Sequence, residues 1–178
     1  MENFHLYNFT FENLSRKNMS FQEVFQYIKS FMEKDRYGNY KLMFGTDSQV
    51  HPTYTRFITG IVIQCETKGA WACIRKVIVP RRMDHLHERI SYETTLTEEI
   101  VGMFTEERKD ELIELILPNI YRGASLTIEG HIDIGSGNKN KTRIFVNEML
   151  ARMEALGIEA KIKPEAFVAS SYANRYTK

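Results

Sequence analysis

Two runs dense in Ile, Val and aromatic residues, Arg56–Cys65 and Ala70–Val79, are joined through a short turn at Thr67-Lys68-Gly69. β-Branched and aromatic side chains fit a pleated surface, and Gly69 supplies the turn, so the middle of the chain is committed to an antiparallel hairpin. Pro80 closes the pair. Ahead of it, Ser20 and Glu23 form a capping box, and Phe21, Val24, Phe25, Ile28, Phe31 and Met32 recur at helical spacing, which predicts a helix from Ser20 to about Lys34. A turn over residues 35–39, containing Gly38, leads into KLMFGTD, a short strand ending near Asp47.

After the hairpin the period changes. Tyr92, Leu96, Ile100, Met103 and Phe104 mark a helix from about Arg89, and Leu112, Leu115 and Ile116 mark a second one stopped by Pro118. Ser125–Ile134 alternates apolar Leu126, Ile128, Ile132 and Ile134 with polar Thr127, Glu129, His131 and Asp133, the pattern of a half-buried strand. Val146, Met149, Leu150, Met153 and Leu156, followed by Gly157, give a further helix. A last strand over residues 159–163 precedes Pro164, and a short terminal helix is expected from near Ser170. The order is mixed α/β without an internal repeat. Residues 1–38 read as an N-terminal arm and helix and 39–178 as the main domain, together one globular unit.

The 178 residues carry 24 Lys plus Arg against 23 Asp plus Glu, so any polyanion site must be local and not a matter of bulk charge. Hydrophobic content of 43% excludes collagen-like and largely disordered chains. No window approaches about 18 uninterrupted apolar residues, and the start has neither a basic nor an apolar leader region, so no membrane span is expected and a cytoplasmic location is. Cys65 and Cys73 are expected to face each other across the hairpin as reduced thiols.

Asp47 and Asp133 each end a predicted strand and open a polar loop, GTDSQ and HIDIGSG. Ligands of α/β sheets bind beyond the strand carboxyl ends, so two carboxylates there suit a hard cation. Glu93 supplies a third: it stands three residues before Leu96 and seven before Ile100, which extends the buried stripe and aims it at the sheet. Glu98 falls on the opposite side and should face solvent, with Glu99 on the flank. Oxygen ligands without a thiolate or imidazole cage point to Mg²⁺ or Mn²⁺ and to phosphoryl transfer. Of the neighbours, Ser48 and Gln49 adjoin Asp47, His131 shares a strand face with Asp133, and Arg81 and Arg82 lie in a locally basic stretch able to grip a nucleic-acid backbone.

The motifs FGTDSQVH, GAWACIRKVIVPR, ISYETTLTEE, EGHIDIGSGNKNKT and KIKPEAFVASSYANRYTK resemble the ribonuclease H-like superfamily and, more closely, its YkuK-like family of small bacterial proteins. The resemblance implies a five-stranded mixed sheet of order 3-2-1-4-5, flanked by helices, with strands 1 to 3 antiparallel and an N-terminal helix extension. It implies catalytic and metal-binding acids at Asp47, Glu93 and Asp133 and an RNA or DNA substrate. Nucleases of this kind usually carry a fourth acid on the last helix; here Asn174 stands in that stretch, a neutral and weaker ligand. Two readings follow: a Mg²⁺- or Mn²⁺-dependent nuclease, or a non-catalytic nucleic-acid-binding or regulatory protein that keeps the fold. The segment Gly135–Thr142 differs from a P-loop by Asn140 in place of the second Gly, and no later strand supplies the Mg²⁺-ligating Asp such an enzyme needs. Lys139 and Lys141 in that segment are instead candidates for holding one phosphate.

Overall fold

The computed structural model describes residues 9–137 and 141–176, the side chains of Ser170, Asn174 and Arg175 excepted. A single five-stranded sheet carries the structure, with β1 Asn39–Val50, β2 Thr55–Cys65, β3 Gly69–Val79, β4 Ser125–Gly135 and β5 Glu159–Lys163 in the order β3-β2-β1-β4-β5. The first three strands are antiparallel; β4 and β5 run parallel to β1. The helices are α1 Phe21–Glu33, α2 Leu86–Met103, α3 Glu106–Ile116 and α4 Val146–Glu154. Each strand and helix expected from periodicity is present, and the capping box at Ser20 and Glu23 makes both of its reciprocal bonds.

One sheet face presents Tyr40, Leu42, Phe44, Ile61, Ile63, Ile132 and Ile134 to the helices. Phe104, just past α2, packs edge-on against Phe44 and Phe21 with ring centroids 5.1 Å apart in both pairs. The opposite face carries Met43, Ile58, Val62 and Ile74, and is covered by the segment after β5, a π-type turn Val168–Tyr172 running into a 3-10 turn Ala173–Tyr176. That segment lies close because Gly45 and Gly60 are ladder partners. A Cβ on Gly45 would stand 2.7 Å from the Ala169 backbone nitrogen, and one on Gly60 2.7 Å from the Tyr172 ring. Backbone cannot swing aside as a side-chain tip can, so Gly45→Ala should destabilise the protein by about 1–3 kcal/mol. Differential scanning calorimetry would register this as a fall of several degrees; an unchanged melting temperature would mean the segment does not rest on the sheet.

Three expectations need correction. The hairpin register pairs Cys65 with Gly69 and Cys73 with Ile61, so the two cysteines do not face each other; both are free and buried. The hairpin centre lies at Thr67 because β3 already begins at Gly69. The polar side of β4 is solvated only at its start, at Ser125 and Thr127: Glu129 is 6% and His131 2% exposed, because alternation marks two different faces without saying that one of them meets water. Glu98 does not face open solvent either. It points away from the sheet, but α4 lies along that flank and Arg152 grips it with two bonds of 2.7 and 3.0 Å.

Candidate active site

β1 and β4 are neighbours through a parallel ladder whose last rung is Gly45 with His131. Both strands continue past that rung, to Val50 and Gly135, so the ladder opens where the chain order of the sheet reverses direction. Asp47 and Asp133 each lie two residues beyond the last rung and so fall on the same face, at the mouth of that opening. Glu93 comes from the second turn of α2, on the other side of the sheet, and is 7% exposed. Thr46, Thr97, Ile132 and Asp133 line a tight recess with it, in which the Thr46 hydroxyl bonds those of Thr59 at 2.8 Å and Thr97 at 2.7 Å. This hydroxyl chain fixes α2 against β1 and thereby the depth of Glu93.

The Glu93 carboxyl is pushed up to about 8 from its usual 4.5, first by burial and further by Asp47 and Asp133, against a hydrogen bond donated by Ser48 that lowers it. Asp133 pairs with Lys163 at 2.9 Å, yet the ammonium stands off the direction of a hydrogen bond, and this buried Oδ1 accepts none. Gln49 Oε1 is likewise buried without a hydrogen-bond partner. Crowded, partly unsatisfied oxygens are the donor set that Mg²⁺ or Mn²⁺ takes. Among the described residues no three His, Cys, Asp or Glu side chains already stand as a metal-holding group. Glu93 is turned onto Ser48 and Asp133 is paired with Lys163.

The remaining expected residues divide. His131 accepts from the Val168 backbone N–H at Nδ1, 3.2 Å away, which leaves the proton on Nε2 to bond Glu129 at 2.9 Å. Burial, opposed by Glu129, lowers its proton affinity below the ordinary histidine range. With both ring nitrogens engaged, it fastens the tail segment to the sheet and has no free nitrogen for moving a proton. Arg81 is paired with Glu88, and Arg82 with Asp84 at 2.7 Å, as exposed ion pairs that a phosphate can replace at little cost. Lys141 is exposed; Lys139 and the Asn174 side chain lie outside the described residues. The turn that carries Asn174 runs against β1 and β2, and its neighbour Ala173 packs on Ile58, the ladder partner of Asp47. Glu99 serves the core, pairing at 3.0 Å with the fully buried Arg75.

Sequence reasoning passed over Glu129 and Lys163. Glu129 was accessible from its spacing, two and four residues before His131 and Asp133 on one strand face. Lys163 gave no comparable signal, because its reach to Asp133 depends on the register of β5, which the sequence pattern leaves open.

A parallel-antiparallel sheet of order 3-2-1-4-5, with acidic side chains at the opening between its first and fourth strands, defines a ribonuclease H-like protein. The chain belongs to that family: the Ribonuclease H-like family matches it over residues 23–178. It is similar to the protein described as Uncharacterized protein YkuK of Bacillus subtilis (strain 168), with 43% identity over 171 residues, 96% of this chain and 98% of the relative. Among solved structures, the N-terminal RNase H domain of Rv2228c from Mycobacterium tuberculosis, determined as a fusion with maltose binding protein, covers 77% of this chain and 93% of its own at 10% identity. Its TM-score is 0.32, too low to bear on the site. Among the described residues no helix is long and apolar enough to cross a membrane.

Proposed function

We propose that this protein is a divalent-cation-dependent phosphodiesterase that cleaves RNA or DNA, with Asp47, Glu93 and Asp133 as ligands for Mg²⁺ or Mn²⁺. The observation that supports the reading is that Asp47 and Asp133 flank one break in the sheet and lie near enough to act on the buried Glu93 of α2. A carboxyl buried near two further acids is a recurring mark of a functional site, where a cation would relieve both the burial and the repulsion.

A bound ion would supply Lewis-acid activation of water and stabilise the departing oxygen. The chain's own residues do the rest. Asp47 and Asp133 offer oxygens from opposite edges of the opening, Ser48 orients Glu93, and Arg81, Arg82, Lys139 and Lys141 are placed in this reading along the nucleic-acid backbone. His131, through Val168, holds the tail segment with Asn174 over the β1 side.

The test is a fluorescence cleavage assay with RNA, DNA and hybrid substrates in Mn²⁺, paired with thermal melting. Cleavage that EDTA stops, together with a Mn²⁺-dependent rise in melting temperature, is expected. Absence of both would overturn the proposal. Lys163 on Asp133 and Ser48 on Glu93 also suit a second reading, a nucleic-acid-binding protein without turnover; it predicts salt-sensitive oligonucleotide binding unaffected by EDTA.

A further inference from the structure

Lys163 is the last residue of β5, and its ladder partner is Gly135, two residues past Asp133. Between them the β4–β5 register shifts, and the break lets the lysine lean along the strand to Asp133. The ammonium stands 2.9 Å from Oδ1 with its own side chain 45% exposed, so it can leave for solvent without unpacking anything. The pairing is imperfect. It supplies charge but no directed hydrogen bond, and the oxygen it neutralises is otherwise unsatisfied.

From this geometry we infer that Lys163 is a built-in competitor of the divalent cation, a positioning residue that sets how tightly the acidic site holds its metal. The inference rests on the metal-site reading above. With no cation bound, one positive charge on Asp133 offsets the negative charge gathered at the opening by Asp47 and Asp133. A divalent ion brings a larger charge and takes oxygen lone pairs directly, so it displaces the ammonium to the exposed side. The other β5 lysine cannot substitute, because Lys161 is held by Glu159 at 2.7 Å with Glu165 4.0 Å away.

Lys163→Gln removes the competing charge and keeps the length and polarity of the side chain. Isothermal titration with Mn²⁺ alone should then give affinity up to about fivefold tighter than wild type, the order of effect that a half-exposed ion pair supports. Lys161→Gln, whose ammonium is paired with Glu159 and not with Asp133, should leave Mn²⁺ affinity unchanged. Circular dichroism melting without metal checks that each variant folds. Should Lys163 be merely structural, Lys163→Gln would bind Mn²⁺ equally or more weakly, which overturns the inference while wild-type binding lost in Asp47→Asn leaves the metal site standing. If neither wild type nor Lys163→Gln takes up Mn²⁺, both readings fall. Binding by the variant alone would be the strongest support, the lysine then excluding the ion outright.

Discussion

Replacing Asp47 with Asn is expected to abolish Mn²⁺-dependent phosphodiester cleavage while leaving the fold intact. The substitution is isosteric, and Asp47 sits on β1 opposite Ile58, half-buried at the open end of the sheet. What it removes is one formal charge and the better of two oxygen ligands. Losing an outer-sphere partner of a metal site typically costs about 10–100-fold, so the loss of a direct ligand should exceed that range. Rates below about 1% of wild type, with a melting curve that no longer responds to Mn²⁺, are the predicted pair of results. Wild-type cleavage by the variant would remove Asp47 from the chemistry and with it the basis for a metal at this end of the sheet. Asp133→Asn should behave alike, with Lys163 then left without its carboxylate.

The second large effect concerns pH. Glu93 in the folded, metal-free protein holds its proton up to about pH 8, whereas in the unfolded chain it releases it near 4.5. Between those values unfolding releases a proton, so folding stability is full below about 4.5 and declines as pH rises toward 8. A single group contributes at most about 1.4 kcal/mol per pH unit, which over such a window amounts to several kcal/mol. Urea denaturation at stepped pH without metal should show this decline, and Glu93→Gln, with no proton to lose, should flatten it. Added Mn²⁺ should flatten it too, by drawing the proton off the folded form. A wild-type profile as flat as that of Glu93→Gln would mean the carboxyl is hydrated and not enclosed.

Much of this was legible because the relevant signals are local. The helical phase of Glu93 relative to Leu96 and Ile100 placed it toward the sheet, where it is found. Asp133 was recognisable as an acid near a strand end, but Asp47, expected to end its strand and open a loop, lies inside β1, which stays paired with β2 as far as Val50. What escaped depends on who packs against whom. The same phase argument that buried Glu93 sent Glu98 to solvent, and failed because periodicity reports direction from the sheet and is silent on α4 and Arg152. Cys65 and Cys73 were misregistered by the assumption of a turn centred on Gly69, when the turn lies two residues earlier. The polar face of β4 looked exposed because its cover, residues 166–176, lies over thirty positions downstream with only a weak pattern of its own. Long-range partners of this kind leave no mark in a local window.

The seat made by Gly60, Gly45 and His131 also fixes an order of events during synthesis. β1 and β2 leave the ribosome long before β4, and the segment that rests across them follows β5. Until it arrives, Met43, Val62, Ile58 and Ile74 are an uncovered apolar strip, and His131 lacks the amide that caps its Nδ1. At about 5–20 residues per second, the emerging sheet spends seconds in that half-clad state. A nascent chain therefore carries this strip bare until residues 166–176 have emerged, and closure of the tail is the last step in finishing the second face of the sheet.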